Sequence, residues 1–235
     1  MAAPSILPFP SPPELAREPA PVRVAFIVPA FNEASTIRTV LDRIEALGLD
    51  QQVIVVDDGS TDATPVILEA WQMTRPWATV IRQPNRGKGA AIRAGLDHVD
   101  REIVVIQDAD LEYDPADVVF GSSLRGGRPQ RAHMFWHLVG NRCLSLLTNV
   151  LYNTTLSDME TGYKAFRTEV LRSLELHRNS FAVEPEITAK VCKRKLRIYE
   201  LPISYYGRSY AEGKKITWRD GFGAVSVLVS ERFRS

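Results

Sequence analysis

Cysteine is almost missing from this chain: Cys143 and Cys192 are the only two. That is too few for a disulfide framework, and no metal–thiolate spacing exists, so a reducing compartment fits. No apolar run reaches the about 18 uncharged residues that a membrane-spanning helix needs. The first residues lack the basic stretch and apolar core of a secretory signal. A cytoplasmic location is therefore expected. Net charge is missing too, since 29 lysines and arginines against 28 acids leave +1. No nucleic-acid partner is expected.

What is present is ordinary in amount and uneven in placement. The 235 residues, 45% apolar and 24% charged, suffice for one large domain with its own core. From Ala30 to Phe120 there are 16 acids and 8 bases; from Glu186 to Ser235 there are 5 acids and 11 bases. Either one half handles a cation and the other anions, or both are solvated faces. Seven prolines fall within residues 1–21. Proline removes donors and restricts its neighbours, so this stretch reads as a disordered tail, with the domain spanning 22–235.

Apolar runs then alternate with helical spacing. Val22–Val28, Val53–Val56, Thr79–Ile81 and Ile103–Ile106 read as buried strands. Between them, Ile37, Val40, Leu41, Ile44 and Leu47 mark a helix that Gly48 ends. A second helix, capped by Ser60 or Thr61, runs to about Met73, and a third to about Val99. Strand–helix alternation predicts an open, mostly parallel sheet. Ligands of such sheets bind beyond the carboxyl ends of the strands. Asn32/Glu33, Asp57/Asp58 and Asp108/Asp110 stand at those ends and converge on one edge. Further on, Val118–Ser122 and Arg197–Leu201 read as strands. Residues 131–152, Phe166–Leu176, Pro185–Lys195 and a segment from near Trp218 read as helices.

Asp108 and Asp110 point the same way at a strand end. Paired carboxylates suit Mg²⁺ or Mn²⁺ with substrate phosphates completing the shell, and Glu112 continues the alternation. The plainer alternative is a solvated acidic turn. Glu33 and Asp58 suit the donors of a ribose diol or a base edge, whereas Asp57 or Asp58 could equally cap the next helix. Arg86-Gly-Lys-Gly89 opens a helix and could cradle a phosphate, or Lys88 is an exposed loop lysine. The complete phosphate-loop pattern is absent, as is a Gly-x-Gly-x-x-Gly after the first strand.

Pro29-Ala-Phe-Asn-Glu33, Val55-Val-Asp-Asp-Gly-Ser60 and Gln107-Asp-Ala-Asp110 together, in this order and spacing, resemble the inverting family 2 glycosyltransferases. Asp158-Met-Glu-Thr-Gly-Tyr-Lys164, Phe181-Ala-Val-Glu-Pro-Glu186 and Tyr206–Lys215 extend the similarity to the dolichyl- or polyprenyl-phosphate mannose/glucose synthase branch, over about residues 22 to 220. The resemblance implies a single-domain GT-A fold, a Rossmann-like open sheet flanked by helices. It implies that Pro29, Phe31, Glu33 and Asp58 hold base and ribose. Val56, Lys88, Asp108, Ala109 and Asp110 are the further nucleotide-sugar positions, with Asp108, Asp110 and Glu112 at the metal. Arg208 and Lys214 match the cations that contact donor diphosphate in a mobile loop. Cations there would stabilise a leaving group that gains negative charge; surface charge is the alternative.

The expected reaction is transfer of a sugar from GDP-mannose or a UDP-sugar to an acceptor, with inversion. A polyprenyl or dolichyl phosphate acceptor would put the protein peripherally at the inner face of the membrane, with the 131–152 helix in the interface or in the core. Asp158 and Arg208 are the catalytic candidates. With a soluble hydroxyl acceptor, Asp158 would be the base; with a lipid phosphate it would orient the acceptor or a positive loop, or simply cap a turn. Two features depart from the branch. Ser123 stands where an arginine is usual, with Arg125 and Arg128 as substitutes. Asp114–Asp117 runs straight into Val118, where a crossover of a dozen residues belongs. A nucleotidyltransferase or a non-catalytic sugar-nucleotide-binding module are the rival classes. The first would want a glycine/arginine-rich loop after the first strand, and the intact acids and cations speak against the second.

Overall fold

The computed structural model describes residues 23–75, 77–111, 120–122, 135–204 and 218–234. The chain runs β1 (Arg23–Ala30), α1 (Ile37–Glu45), β2 (Asp50–Asp57), α2 (Thr64–Gln72), β3 (Ala78–Arg82), α3 (Lys88–Leu96) and β4 (Ile103–Ile106). It continues with β5 (Phe120–Ser122), α4 (Phe135–Tyr152), β6 (Lys164–Arg167), α5 (Thr168–Ser173), α6 (Val183–Lys193), β7 (Glu200–Pro202) and α7 (Trp218–Phe233). The main sheet has the order β3-β2-β1-β4-β6. Its first four strands are parallel, and β6 joins antiparallel at the far edge.

Side chains alternate across a strand, and β1 shows what that does here. Val24, Phe26 and Val28 pack with Ile37, Leu41 and Ile44 of α1 and Leu68 and Trp71 of α2. Ala25 and Ile27 pack on the opposite face with Ile92 and Leu96 of α3, Leu171 of α5 and Ile187 of α6. Burial on both faces explains the unbroken apolar runs. A third cluster joins α4 and α7 through Met159, Ala224 and Leu228, and the Tyr152 hydroxyl donates to the Leu228 carbonyl at 2.7 Å. Cys143 is exposed, Cys192 is buried, and neither forms a disulfide.

The register fixes where the strands end. Ala30 lies opposite Asp57, and the Asp58 N–H donates to the Ala30 carbonyl at 2.8 Å. Ile106 lies opposite Ile27, and the Gln107 N–H donates to the Ile27 carbonyl at 3.0 Å. The three acid-bearing exits therefore share one edge, as expected.

Several elements differ from expectation. Lys164–Arg167, partly read as helix, is a strand: it pairs Phe166 with Val104 and Lys164 with Ile106, and the helix begins only at Thr168. An apolar start followed by helical spacing hid a strand-to-helix junction. The late strand is Glu200–Pro202, and it pairs with β5 in a separate two-stranded sheet. Helix α2 starts at Thr64, later than expected, with Ala63 at its N-cap and so no side-chain cap; the Ser60 hydroxyl accepts the Asn32 N–H at 2.9 Å. The proline-rich tail and the short 114–118 connection lie outside the described residues.

One close approach sets the position of α3. The segment 178–180 crosses its first turn, and the Gly89 N–H donates to the Asn179 carbonyl at 2.7 Å. A Cβ at Gly89 would lie 2.0 Å from the Arg178 carbonyl oxygen, and one at Gly87 would lie 2.4 Å from that of Asn179. The glycines thus admit a protein backbone. We expect Gly89→Ala to destabilise the fold by about 1–3 kcal/mol, the cost of forcing a group into a packed contact. The shift in urea midpoint at unchanged slope measures it.

Candidate functional site

The acid-bearing edge is built from three strand exits. Asn32 adopts a positive φ of 54°, which asparagine tolerates. Its Oδ1 accepts the Thr61 N–H at 2.8 Å, tying the β1 exit to the β2 exit. Glu33 is buried; its carbonyl accepts the Thr36 and Ile37 N–H groups that start α1, and its Oε2 accepts the Thr36 hydroxyl at 3.0 Å. Pro29 and Phe31 are partly buried at the same exit. Val56 and Ala109 are core residues, so what they offer a ligand is backbone.

Asp58 is buried and does not cap α2. Its Oδ1 accepts the Gln83 amide at 2.6 Å and the Arg86 N–H at 2.9 Å, and its Oδ2 accepts the Gly87 N–H at 2.7 Å. It closes the 83–87 loop onto the end of β2. Asp57 accepts the Ser60 N–H at 3.0 Å.

Lys88, the first residue of α3, is not an exposed loop lysine. Its ammonium lies 2.7 Å from Asp108 Oδ1 and 2.8 Å from Glu184 Oε1, and its side chain is 11% exposed. Glu184 turns its other oxygen to Lys164 at 2.7 Å, and Lys164 also donates to the Thr161 carbonyl. A chain of alternating charge, Lys164–Glu184–Lys88–Asp108, thus runs from β6 through α6 to the end of β4. Burial alone would push the Lys88 ammonium down, but Asp108 and Glu184 outweigh it and hold it above its ordinary value. Burial would likewise raise Glu184, but Lys164 and Lys88 outweigh it and hold its carboxyl low.

Asp108 Oδ2 faces Gly162, where a Cβ would approach to 2.2 Å. Only glycine leaves that oxygen room. Asp110 lies two residues on and is partly buried. Asp158 is buried; its Oδ1 accepts the Asn141 amide at 2.9 Å, and its N–H donates to Glu200 Oε1 at 3.2 Å. Glu112, Arg208, Lys214, Ser123, Arg125 and Arg128 lie outside the described residues. No third metal-ligating side chain joins Asp108 and Asp110 among the described residues.

Sequence reasoning did not single out Lys164 and Glu184 as links of this charge chain, nor Glu160 as its neighbour. The available signal was Lys164 itself, directly before an apolar strand residue, because a buried lysine requires a carboxylate partner. Glu160 is partly buried; its Oε1 is shielded from solvent and has no hydrogen-bond partner among the described residues.

Residues 25–119 match Glycosyl transferase family 2. That segment, well under half of the chain, is what the likeness to the family rests on. Among its relatives, Glycosyltransferase AglJ of Haloferax volcanii is 29% identical over 81% of this chain and 65% of its own length. The Dolichyl-phosphate hexose transferase of the same organism is 29% identical over 90% of this chain and 96% of its own length. This chain thus spans just under two thirds of the first relative and nearly all of the second. Among solved structures, glucosyl-3-phosphoglycerate synthase from Mycobacterium tuberculosis, in complex with Mn²⁺, UDP and phosphoglyceric acid, superposes with a TM-score of 0.65 at 21% identity, covering 90% of this chain and 79% of that one. Mannosyltransferase PcManGT from Pyrobaculum calidifontis, in complex with GDP-Man and Mn²⁺, gives a TM-score of 0.58 at 25% identity, covering 91% and 65%. The GT-A fold and the likeness to the polyprenyl-phosphate sugar synthase branch stand as the motifs implied.

The buried charge chain is a stability element. Glu184→Gln leaves two buried ammonium groups short of a partner, and we expect a loss of about 3–5 kcal/mol at neutral pH. Glu184's folded pKa lies below its ordinary value of 4.5, so its stabilisation is in place above that value and is lost as pH falls through the lower folded one. The gap between wild type and variant, followed by urea unfolding, should therefore narrow below pH 4.5.

Proposed function

We propose that this protein transfers a hexose from a nucleotide sugar to polyprenyl or dolichyl phosphate, with inversion and a divalent metal. The observation that carries the reading is the convergence of the Glu33, Asp58 and Asp108/Asp110 exits on one sheet edge, with Lys88 bound to Asp108. The dolichyl-phosphate relative, matched over nearly its whole length, supports the acceptor class.

Pro29, Phe31, Glu33, Val56 and Asp58 line the base and ribose side; Asp58 acts by holding the Arg86–Gly87 backbone as a wall. The acids suit a hard cation, and the Asp108 carboxylate already meets one, the Lys88 ammonium, in a cradle that a Cβ at Gly162 would fill. Asp108 and Asp110, with Glu112, would hold Mg²⁺ or Mn²⁺. When bound, the metal supplies positive charge to the diphosphate oxygens. The acceptor oxygen attacks the anomeric carbon opposite the diphosphate; one C–O bond forms as the other breaks, and configuration inverts. Arg208 and Lys214 take up the charge that develops on the departing diphosphate.

A phosphate monoester is largely ionised at neutral pH, with a second pKa of about 6, so little proton removal is needed. Asp158, buried and bonded to Asn141, is read as an orienting residue. Exposed Phe135, Trp136, Leu146 and Val150 on α4, and Phe222 and Phe233 on the packed neighbour α7, support a peripheral lipid face. No helix among the described residues is long and apolar enough to cross a membrane.

Chelation should abolish transfer, and Mg²⁺ or Mn²⁺ should restore it. Full activity of Asp110→Ala in metal-free buffer would remove the metal from the reaction. The acceptor is tested with radiolabelled donor and lipid extraction. Asp158→Asn should lose far less than the about 10²–10⁴-fold that general-base catalysis is worth. Arg208→Ala should lose more. Label left in the aqueous phase, with Asp158→Asn inactive and Arg208→Ala active, would establish a soluble hydroxyl acceptor instead.

A further inference from the structure

The charge chain balances without one of its neighbours. Two ammonium groups, Lys88 and Lys164, are neutralised by two carboxylates, Asp108 and Glu184. Glu160 is the surplus acid. It stands two residues before Gly162, whose backbone packs on Asp108, and four before Lys164. The charged groups that face it are Lys164 of β6, Glu184 of α6, Asp158 of its own loop and Lys88 of α3. Its Oε1 is shielded from water with no donor among the described residues. Nearly all shielded polar atoms in folded proteins have a partner, and an exception calls for an explanation.

We propose that Glu160 accepts a hydrogen bond from a hydroxyl of the transferred sugar and so forms part of the sugar subsite. The assignment rests on the nucleotide-sugar reading above and deepens it. On the nucleotide-sugar reading Asp108 and Asp110 mark the diphosphate, and Glu160 stands on the 158–162 loop whose Gly162 packs on Asp108. A sugar attached to that diphosphate brings several O–H donors to this place, and a carboxylate oxygen is a strong acceptor for them. Water exclusion strengthens such a bond and raises the penalty for a sugar that cannot supply it.

A purely structural role fits poorly. Burial, with Glu184 and Asp158 adding to it against Lys164 and Lys88, pushes the Glu160 carboxyl up to about 7. An acid with a raised folded pKa destabilises the fold as pH rises from its ordinary value of 4.5 through 7, because the unfolded chain ionises first. Glu160 therefore costs the folded protein stability at neutral pH, and a sugar hydroxyl would return part of that cost on binding.

The test compares nucleotide sugar with bare nucleotide by calorimetry, on the full chain with Mn²⁺. Probes are GDP-mannose against GDP and UDP-glucose against UDP. Glu160→Ala should weaken whichever nucleotide sugar the wild type binds by about 10- to 100-fold, the usual equivalent of a lost hydrogen bond to a charged group. Binding of the matching diphosphate should stay within about twofold, inside the scatter of a contact that has not changed. Glu160→Gln, nearly the same shape and able to fold where alanine leaves a gap, should show a smaller loss with the same selectivity. Equal losses for sugar and bare nucleotide, or no loss for either variant, would overturn the proposal while leaving the glycosyltransfer reading intact. A wild type that binds none of the four probes would overturn both.

Discussion

The buried ion chain from Lys164 to Asp108 is the constraint on which the site depends. Each link comes from a different element: β6, α6, α3 and the end of β4. No member tolerates burial alone, since an unpaired charge in a low-dielectric interior costs several kcal/mol. The four elements must therefore dock together or not at all. Gly89 and Gly162 are the allowances that make this docking possible, one for a crossing backbone and the other for a carboxylate oxygen. The result is a carboxylate at the sheet edge whose orientation is fixed before any substrate arrives.

The edge strand β6 carries this arrangement to the rest of the sheet. Running antiparallel to β4, it places Lys164 beside the carboxyl end of a parallel strand. A parallel strand at this position would present its side chains to the edge in the opposite chain direction, and the loop 158–162 would not reach Asp108. Phe166, on the same face as Lys164, sinks into the core shared with α3, α5 and α6. One strand of four residues therefore anchors both packing and charge.

The parallel half of this architecture was legible in the sequence because it is written in unbroken apolar runs with acids immediately after them. Val53–Val56 followed by Asp57 and Asp58 leaves little choice about strand or exit. The later half was harder for definite reasons. Phe166–Leu176 holds a strand end and a helix in immediate succession, so one period was assigned where two operate. Asp58 invited a ligand role or a cap, whereas the partners it holds here are Gln83, Arg86 and Gly87, more than 20 residues downstream; nothing local announces a contact of that range. Lys88 could be read as a phosphate ligand or as loop charge because its two partners come from distant stretches of chain. Glu160 was passed over beside Asp158, and only burial distinguishes an acid already bonded to Asn141 from one that is not.

The closure of Asp58 onto the 83–87 backbone has a consequence for timing. Two N–H groups and a side-chain amide converge on one buried carboxylate, so the loop's conformational freedom is given up when the chain folds. If the nucleotide binds there as proposed, nothing remains to be ordered in this loop when it enters. This wall of the cleft behaves as a rigid template, and recognition at it is a matter of fit on arrival instead of adjustment afterwards. Slow rearrangements in a catalytic cycle must accordingly be sought in parts of the chain that this carboxylate does not hold.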